Sequence, residues 1–291
     1  DIHPGISGLV SLNAINETLE AMAQAIFKSW FVDFDPVRAK ASGEPPESIC
    51  HRLGLTHDLL ALFPDSLQES ELGEIPMGWD AKPFGEWLVH TIGGDWGADK
   101  PDDLCSVEVR IIRGTDMPKL KAGRINDVPL RFVQASKFSN RKLQPEDIVL
   151  EVSGGSQDQP TGRGLRITTG MTELLGEAIV PASFCRLLRP AYPEAGPLLS
   201  LHLDLIYEAG KTWEYQNQST GISNFQTKYF LEKELVVDPG ASLVAAFYRR
   251  VVPLLSGRYV TEINALTAAR DALLPELLSG KLVVPIMEDS Q

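Results

Sequence analysis

From Leu12 to Trp30 neither proline nor glycine interrupts the chain, and Ile15, Leu19, Met22, Ile26 and Trp30 recur at spacings of four, three, four and four residues. That period lays five apolar side chains along one stripe of a helix about five turns long. Ser11 or Asn13 can cap its start, and Pro36, which cannot continue a helix, marks its end. The helical period returns after Pro239-Gly240. Ala241 to Arg250 form a short helix, Pro253 suits the first turn of another, and Tyr259, Ile263, Leu266, Leu273 and Leu277 mark a stripe ending at Gly280. Unbroken from Pro253 to Ser279, that second helix is about 40 Å long, with Pro275 kinking its last turn. A shift of 247 residues lays Leu19 on Leu266, Ala25 on Ala272, Ile26 on Leu273 and Trp30 on Leu277. Two seams made for partner helices, or two unrelated amphipathic helices on a shared core, fit this period equally well.

Between the helices the pattern changes. Residues 39–78, with Gly43, Pro45 and Pro46, read as a linker carrying one short helix near Leu55 to Leu62. From Trp79 onward, short apolar runs alternate with turns: Ile148 to Val152, Leu165 to Thr168, Ala178 to Val180, Cys185 to Leu188 and Glu234 to Val237 predict strands, and Leu198 to Ala209 predicts a helix. The expected organisation is an α+β chain: a helix over 1–38, the linker over 39–78, one globular mixed α/β domain over 79–240 and distal helices over 241–291. About 160 residues suffice for a self-contained core.

Composition narrows the function classes. The 291 residues are 43% hydrophobic, which excludes wholesale disorder, and no run approaches the eighteen consecutive apolar residues of a membrane span. The start, Asp-Ile-His-Pro, has no signal-peptide character, so a cytoplasmic protein without membrane partners is expected. Cys50, Cys105 and Cys185 are widely spaced and form no ligand pair with the five histidines, so reduced thiols and no metal are expected. The net charge of −12 argues against a simple nucleic-acid binder. Arg113 to Lys142 runs the other way, with eight basic residues against two acidic ones, a local +6 that suits either DNA or an ordinary solvated face.

No catalytic signature stands out. Gly93 to Gly97 and Gly154 to Ser156 lack the pattern of a phosphate-binding loop, and no cofactor-binding glycine turn, Asp/Asn-Pro-Pro-aromatic motif or carboxylate cluster is visible. The chain is therefore expected to be no enzyme and to carry no cofactor. Polar loops suited to nucleic acid are present. Ser153, Ser156, Gln157, Gln159, Thr161 and Arg163 lie in a glycine-rich loop after a strand, where Gln and Arg can meet base edges. Lys137, Ser139, Asn140, Arg141 and Lys142 read as a basic loop for phosphates, with Arg113 on the same face. Thr220, Ser223, Asn224 and Gln226 form a third candidate loop. Each is equally readable as a polar surface turn.

Five stretches carry a family resemblance: Leu19-Glu-Ala-Met-Ala-Gln-Ala-Ile-Phe-Lys-Ser-Trp-Phe-Val-Asp-Phe-Asp-Pro-Val37, Ser70-Glu-Leu-Gly-Glu-Ile-Pro-Met-Gly-Trp79, Glu151-Val-Ser-Gly-Gly-Ser156 followed by Pro160-Thr-Gly-Arg163, Gly221-Ile-Ser-Asn-Phe225, and Arg270-Asp-Ala-Leu-Leu-Pro-Glu-Leu-Leu-Ser-Gly-Lys281. Together they resemble the specificity subunits of Type I restriction-modification systems. The resemblance implies a central spacer helix, the second of two target-recognition domains, and a distal helix that pairs with the spacer as an antiparallel coiled coil. It also implies double-stranded DNA, modification subunits and, through the complex, restriction subunits as partners. The adenine methylation, with S-adenosylmethionine, and the ATP-driven cutting it implies belong to those other subunits. The first recognition domain has no counterpart here, so a fragment of a longer subunit is expected, or a half-length subunit that homodimerises.

Overall fold

The computed structural model describes residues 4–123, 128–154, 159–219 and 222–256. Helix α1 (Pro4–Phe31) is followed by α2 (Asp35–Ala41), α3 (Pro46–Leu53) and α4 (His57–Leu60), then by the hairpin β1 (Leu67–Ser70) and β2 (Gly73–Pro76). The module continues through β3 (Asp80–Pro83), β4 (Leu88–Gly93), β5 (Val107–Ile112), α5 (Met117–Lys121), β6 (Leu130–Val133), α6 (Ala135–Arg141), β7 (Ile148–Glu151) and β8 (Ser153–Gly154). Then come β9 (Gly164–Arg166), α7 (Thr169–Leu175), β10 (Ile179–Pro181), β11 (Cys185–Pro190), α8 (Ala195–Glu208), β12 (Gln216–Ser219), β13 (Ile222–Phe225), α9 (Thr227–Lys233) and β14 (Leu235–Asp238). The described residues end in a helix, α10, over 241–256. The architecture is mixed α/β, with small sheets rather than one large one. No described helix is long and apolar enough to cross a membrane.

Helix α1 forms where the apolar period predicts it, but of the predicted stripe only Trp30 is buried, and it lies in the core rather than on a face left for a partner helix. Ala23, Phe27, Trp30 and Phe31 are buried, whereas Ile15 and Met22 are 44% and 47% exposed, and Leu19 and Ile26 lie between. Pro36 does not simply end the run. Phe34 adopts a left-handed backbone, and Asp35-Pro36 then open α2, because proline is well tolerated in a helix's first turn. The stretch read as a linker packs tightly: Ile49, Leu55, Leu60, Phe63 and Ile75 join Phe27, Trp30 and Phe31 in one core with Phe84, Leu198, Phe230 and Phe247. The ring of Trp30 lies 5.2 Å from Phe63 and 5.7 Å from Phe247, both in tilted or edge-on contact. A second core, under β5, β10 and β11, gathers Val109, Ile111, Met117, Val149, Ile179 and Leu187. The single core expected of the module is thus two, one of them shared with the flanking helices.

Helix α10 also departs from expectation, since it runs without a break through Pro253. Phe247 meets Phe27, Trp30 and Phe31, and eight residues later Leu255 lines the same small cavity as Glu20. Its contacts therefore move back down α1 as it advances. Tyr259, Ile263, Leu266, Leu273 and Leu277, with the kink at Pro275, lie outside the described residues.

Candidate nucleic-acid interface

The site is built at one end of the four-stranded sheet β4-β11-β7-β9. β11 is antiparallel to both β4 and β7, and β9 is antiparallel to β7, so the C-termini of β4 and β7 and the N-termini of β11 and β9 share that end. The parallel pair β5 and β10 ends there too, because Pro181 leads through a tight turn directly into Cys185. Loops far apart in sequence are thereby collected: Gly93–Trp96, Ile112–Gly114, Glu151–Gly154 and Ala182–Cys185.

From β7 the chain enters a three-stranded ribbon, β12-β13-β8, in which Asn217 faces Asn224 and Asn224 faces Ser153 across the strands. Alternation puts these three side chains in one row on one face. The Ser153 hydroxyl donates to Asn224 Oδ1 at 3.0 Å, and Gln226 Nε2 donates to Asn217 Oδ1 at 3.0 Å. Both asparagines are exposed, and among the described residues their amide nitrogens donate to no protein acceptor. Each amide oxygen keeps a second lone pair. Such a fixed amide presents a donor and an acceptor side by side, the pattern that matches adenine N7 and N6 in the major groove. The opposite face is anchored by Phe225, buried against Tyr215 and Phe230.

Thr161 and Arg163 support the ribbon from inside. Thr161 is fully buried, with its N–H and hydroxyl both donating to Gln216 Oε1 at 3.0 and 2.9 Å. Arg163 donates from Nε and Nη2 to the two carboxylate oxygens of Glu151, 2.8 Å each, and is 18% exposed against 4% for its partner. The Glu151 carboxylate lies so close to Gly114 that a Cβ there would come within 2.1 Å of Oε1. Burial, reinforced by the charge of Glu151, pushes the Cys185 thiol up to about 12, leaving it protonated and inert. Behind the ribbon, buried Glu234 accepts from His202 Nε2 at 2.7 Å, Lys211 Nζ at 2.7 Å and the Tyr215 hydroxyl. Burial opposes its charge, yet these donors prevail and hold the carboxyl down at about 2.

The expected basic loop is a helix, α6, because no proline or glycine breaks 135–141. It lies along β4. Lys137 Nζ pairs with Asp95 at 3.1 Å and Arg141 Nε donates to the Gly93 carbonyl at 2.8 Å, so both reach the loop end of the sheet. Ser139 and Asn140 donate back to the Ser136 carbonyl, and Lys142 pairs with Glu177 at 3.3 Å. Arg113, next to Gly114, clasps Asp116 through Nε and Nη2 at 2.9 and 2.7 Å. Lys121 also pairs with Asp204 and Arg131 with Asp99, so four carboxylates from outside the segment, Asp95, Asp99, Glu177 and Asp204, offset part of its +6, in which Asp116 is already counted. Asn224 and Gln226 belong to a strand and the start of α9 rather than to a loop, and Ser223 is buried. Gln159 is exposed beside the ribbon's support, while Ser156, Gln157 and Thr220 lie outside the described residues. Among the described residues no cluster of His, Cys, Asp and Glu is arranged to hold a metal ion. Asn217 and Gln216 escape a reading of the sequence, whose only signal for them is the polar run Gln-Asn-Gln-Ser before Gly-Ile-Ser-Asn-Phe.

No protein-family model matches the chain. Over 97% of its length it is 25% identical to the Type I restriction enzyme HindI specificity subunit of Haemophilus influenzae, covering 66% of that protein. It is 23% identical over 92% of its length to the MjaIX specificity subunit of Methanocaldococcus jannaschii, covering 54%. The chain thus spans between half and two thirds of these curated relatives. Among solved structures, the S subunit of a Type I restriction-modification system from M. genitalium aligns over 97% of this chain and 61% of its own length, at 15% identity and a TM-score of 0.41. The HsdS subunit of Thermoanaerobacter tengcongensis aligns over 95% and 58%, at 13% identity and a TM-score of 0.36. Over nearly the whole of its own length, then, this chain is similar in sequence to curated specificity subunits of Type I restriction enzymes, in keeping with the motif resemblance.

Proposed function

We propose that this chain reads one half of a bipartite duplex DNA target and docks a modification subunit, contributing recognition and no catalytic step. The observation that carries the reading is the row Asn217, Asn224 and Ser153, its two asparagines exposed, fixed by cross-strand hydrogen bonds on a three-stranded ribbon, where side-chain amides suit the edges of base pairs. In this reading Ser153, Asn224, Gln226 and Gln159, with Ser156 and Gln157, face base edges. Arg113, Lys137, Ser139, Asn140, Arg141 and Lys142 face phosphates, and Thr161 and Arg163 hold the ribbon in shape. Residues 79–240 form the recognition domain, and the flanking helices set the distance to a second recognition unit. The exposed Ile15 and Met22, with Leu19 and Ile26, then receive Tyr259, Ile263, Leu266, Leu273 and Leu277 in an antiparallel coiled coil, a direction supported by the course of α10 along α1. Methylation of adenine and ATP-driven cutting belong to the modification and restriction subunits of the assembled complex.

Competition binding with the chain assembled on its modification subunit tests this. N224A is expected to lose discrimination at one base pair by about 1–3 kcal/mol while its affinity for unrelated DNA is unchanged. Equal loss on all sequences contradicts the assignment. A second reading, a protein assembly adaptor without base readout, is favoured by the paired cations of 113–142 and the net charge of −12. Oligonucleotide selection that returns no consensus with the full complex decides for it.

A further inference from the structure

Two exposed apolar side chains stand at the loop end of the sheet: Trp96, 38% exposed, carries the Arg131 guanidinium over its ring at 4.7 Å, whereas Phe184 is 64% exposed. It occupies, with Ser183, the corner of a hydrogen-bonded turn closed by Cys185 N–H donating to the Ala182 carbonyl at 2.8 Å. Such corners favour polar residues and glycine, not phenylalanine. The turn is clamped on every side. Ala182 N–H donates to the Ile112 carbonyl, Asp95 N–H to that of Pro181 and Gly94 N–H to that of Cys185, each at 2.9 Å. Gly94 packs so closely that a Cβ there would stand 2.0 Å from the Ala182 oxygen. The Phe184 carbonyl itself accepts the N–H groups of Val152 and Ser153 at 2.9 and 3.2 Å, which ties it to the strand carrying the amide row. The backbone that carries this exposed side chain is thus clamped, and its carbonyl is tied to Ser153, the end of the row Asn217, Asn224 and Ser153.

The edges of base pairs in the major groove offer hydrogen-bonding atoms and one apolar group, the thymine C5-methyl. The amide row complements the former. We propose, resting on the DNA-reading assignment above, that Phe184 complements the latter and is the thymine-selecting residue of the interface. A rigid turn suits this role, because little side-chain and loop freedom remains to be lost on binding.

The test uses the chain assembled with its modification subunit and duplexes carrying the selected half-site, each thymine replaced in turn by uracil. Wild type is expected to weaken about three- to fivefold at one position, the worth of one methyl group removed from water. F184A is expected to bind the thymine duplex as weakly as wild type binds the uracil one, and no longer to distinguish them; F184L, which keeps an apolar contact, retains the discrimination. Indifference of wild type to every replacement, or unchanged discrimination in F184A, overturns the proposal. So does a 2-aminopurine signal at one base step that depends on Phe184, which would make the ring a wedge between bases. Absence of any target preference in wild type is a separate result and overturns the DNA-reading assignment itself.

Discussion

Arg163 shows how a residue type suited to a base edge can be put to another use. Its Nε and Nη2 are committed to Glu151, whose side chain is 4% exposed, and the pairing follows from the β7–β9 register rather than from anything local. Removing one partner of a buried pair strands the other charge. R163A is therefore expected to lower stability by about 3 kcal/mol in chemical denaturation, with sequence choice altered only through misfolding of the ribbon. Glu234 makes a prediction with a definite sign. Its folded carboxyl lies near 2, below the ordinary 4.5, so its stabilising contribution is complete above about 4.5 and is lost as pH falls toward 2. The stability difference between wild type and E234Q is expected to be on the order of 3 kcal/mol at neutral pH and to shrink through that acid window. Measuring the difference isolates Glu234 from Glu146 and Asp204, whose carboxyls burial pushes up. A difference that stays constant from pH 6 to pH 2 contradicts the role of this network.

At the level of elements, α1 carries apolar residues on more than one face, and the tertiary core selects Ala23, Phe27, Trp30 and Phe31. W30A is expected to cost about 3–5 kcal/mol in thermal or chemical unfolding. Met22→Lys, on the exposed stripe, is expected to leave the module's unfolding within about 0.5 kcal/mol of wild type yet to loosen helix pairing, read as faster proteolysis of the segment after residue 256. Losses of similar size from both substitutions contradict the two-face reading. Strands β7, β9, β10, β11 and β14 and helix α8 were legible because buried strands are continuous apolar runs and α8 has a clear helical period. Strands β12, β13 and β8 were not, since their polar residues gain strand character only from one another across long sequence separations. The helix at 135–141 was obscured by its polarity, and the packing of 39–78 by the prolines that start α3. Ser153, Asn224 and Gln226 stood out as polar residues beside glycines, but the row they form with Asn217 depends on register, which composition does not encode.

Over the whole molecule, charge decides how DNA can be held. The net charge is −12, and among the described residues Arg113, Lys121, Arg131, Lys137 and Lys142 are each paired with a carboxylate, which opposes attraction of phosphates by the chain alone. In mobility-shift assays the isolated chain is expected to bind duplexes feebly and with a shallow salt dependence, and the modification subunit to supply most of the affinity. Tight, steeply salt-sensitive binding without a partner contradicts that division of labour. In the proposed reading, recognition and spacing fall to separate parts, the ribbon at the sheet's loop end and the helices that share a core with the module. The most direct measurement is the genomic methylation pattern of cells carrying the subunit with its modification partner, as wild type and as N224A. A split adenine-containing motif that changes in one half only, with its spacing preserved, is the predicted result. An unchanged motif, or simultaneous loss of specificity in both halves, would contradict the claim that this ribbon reads bases.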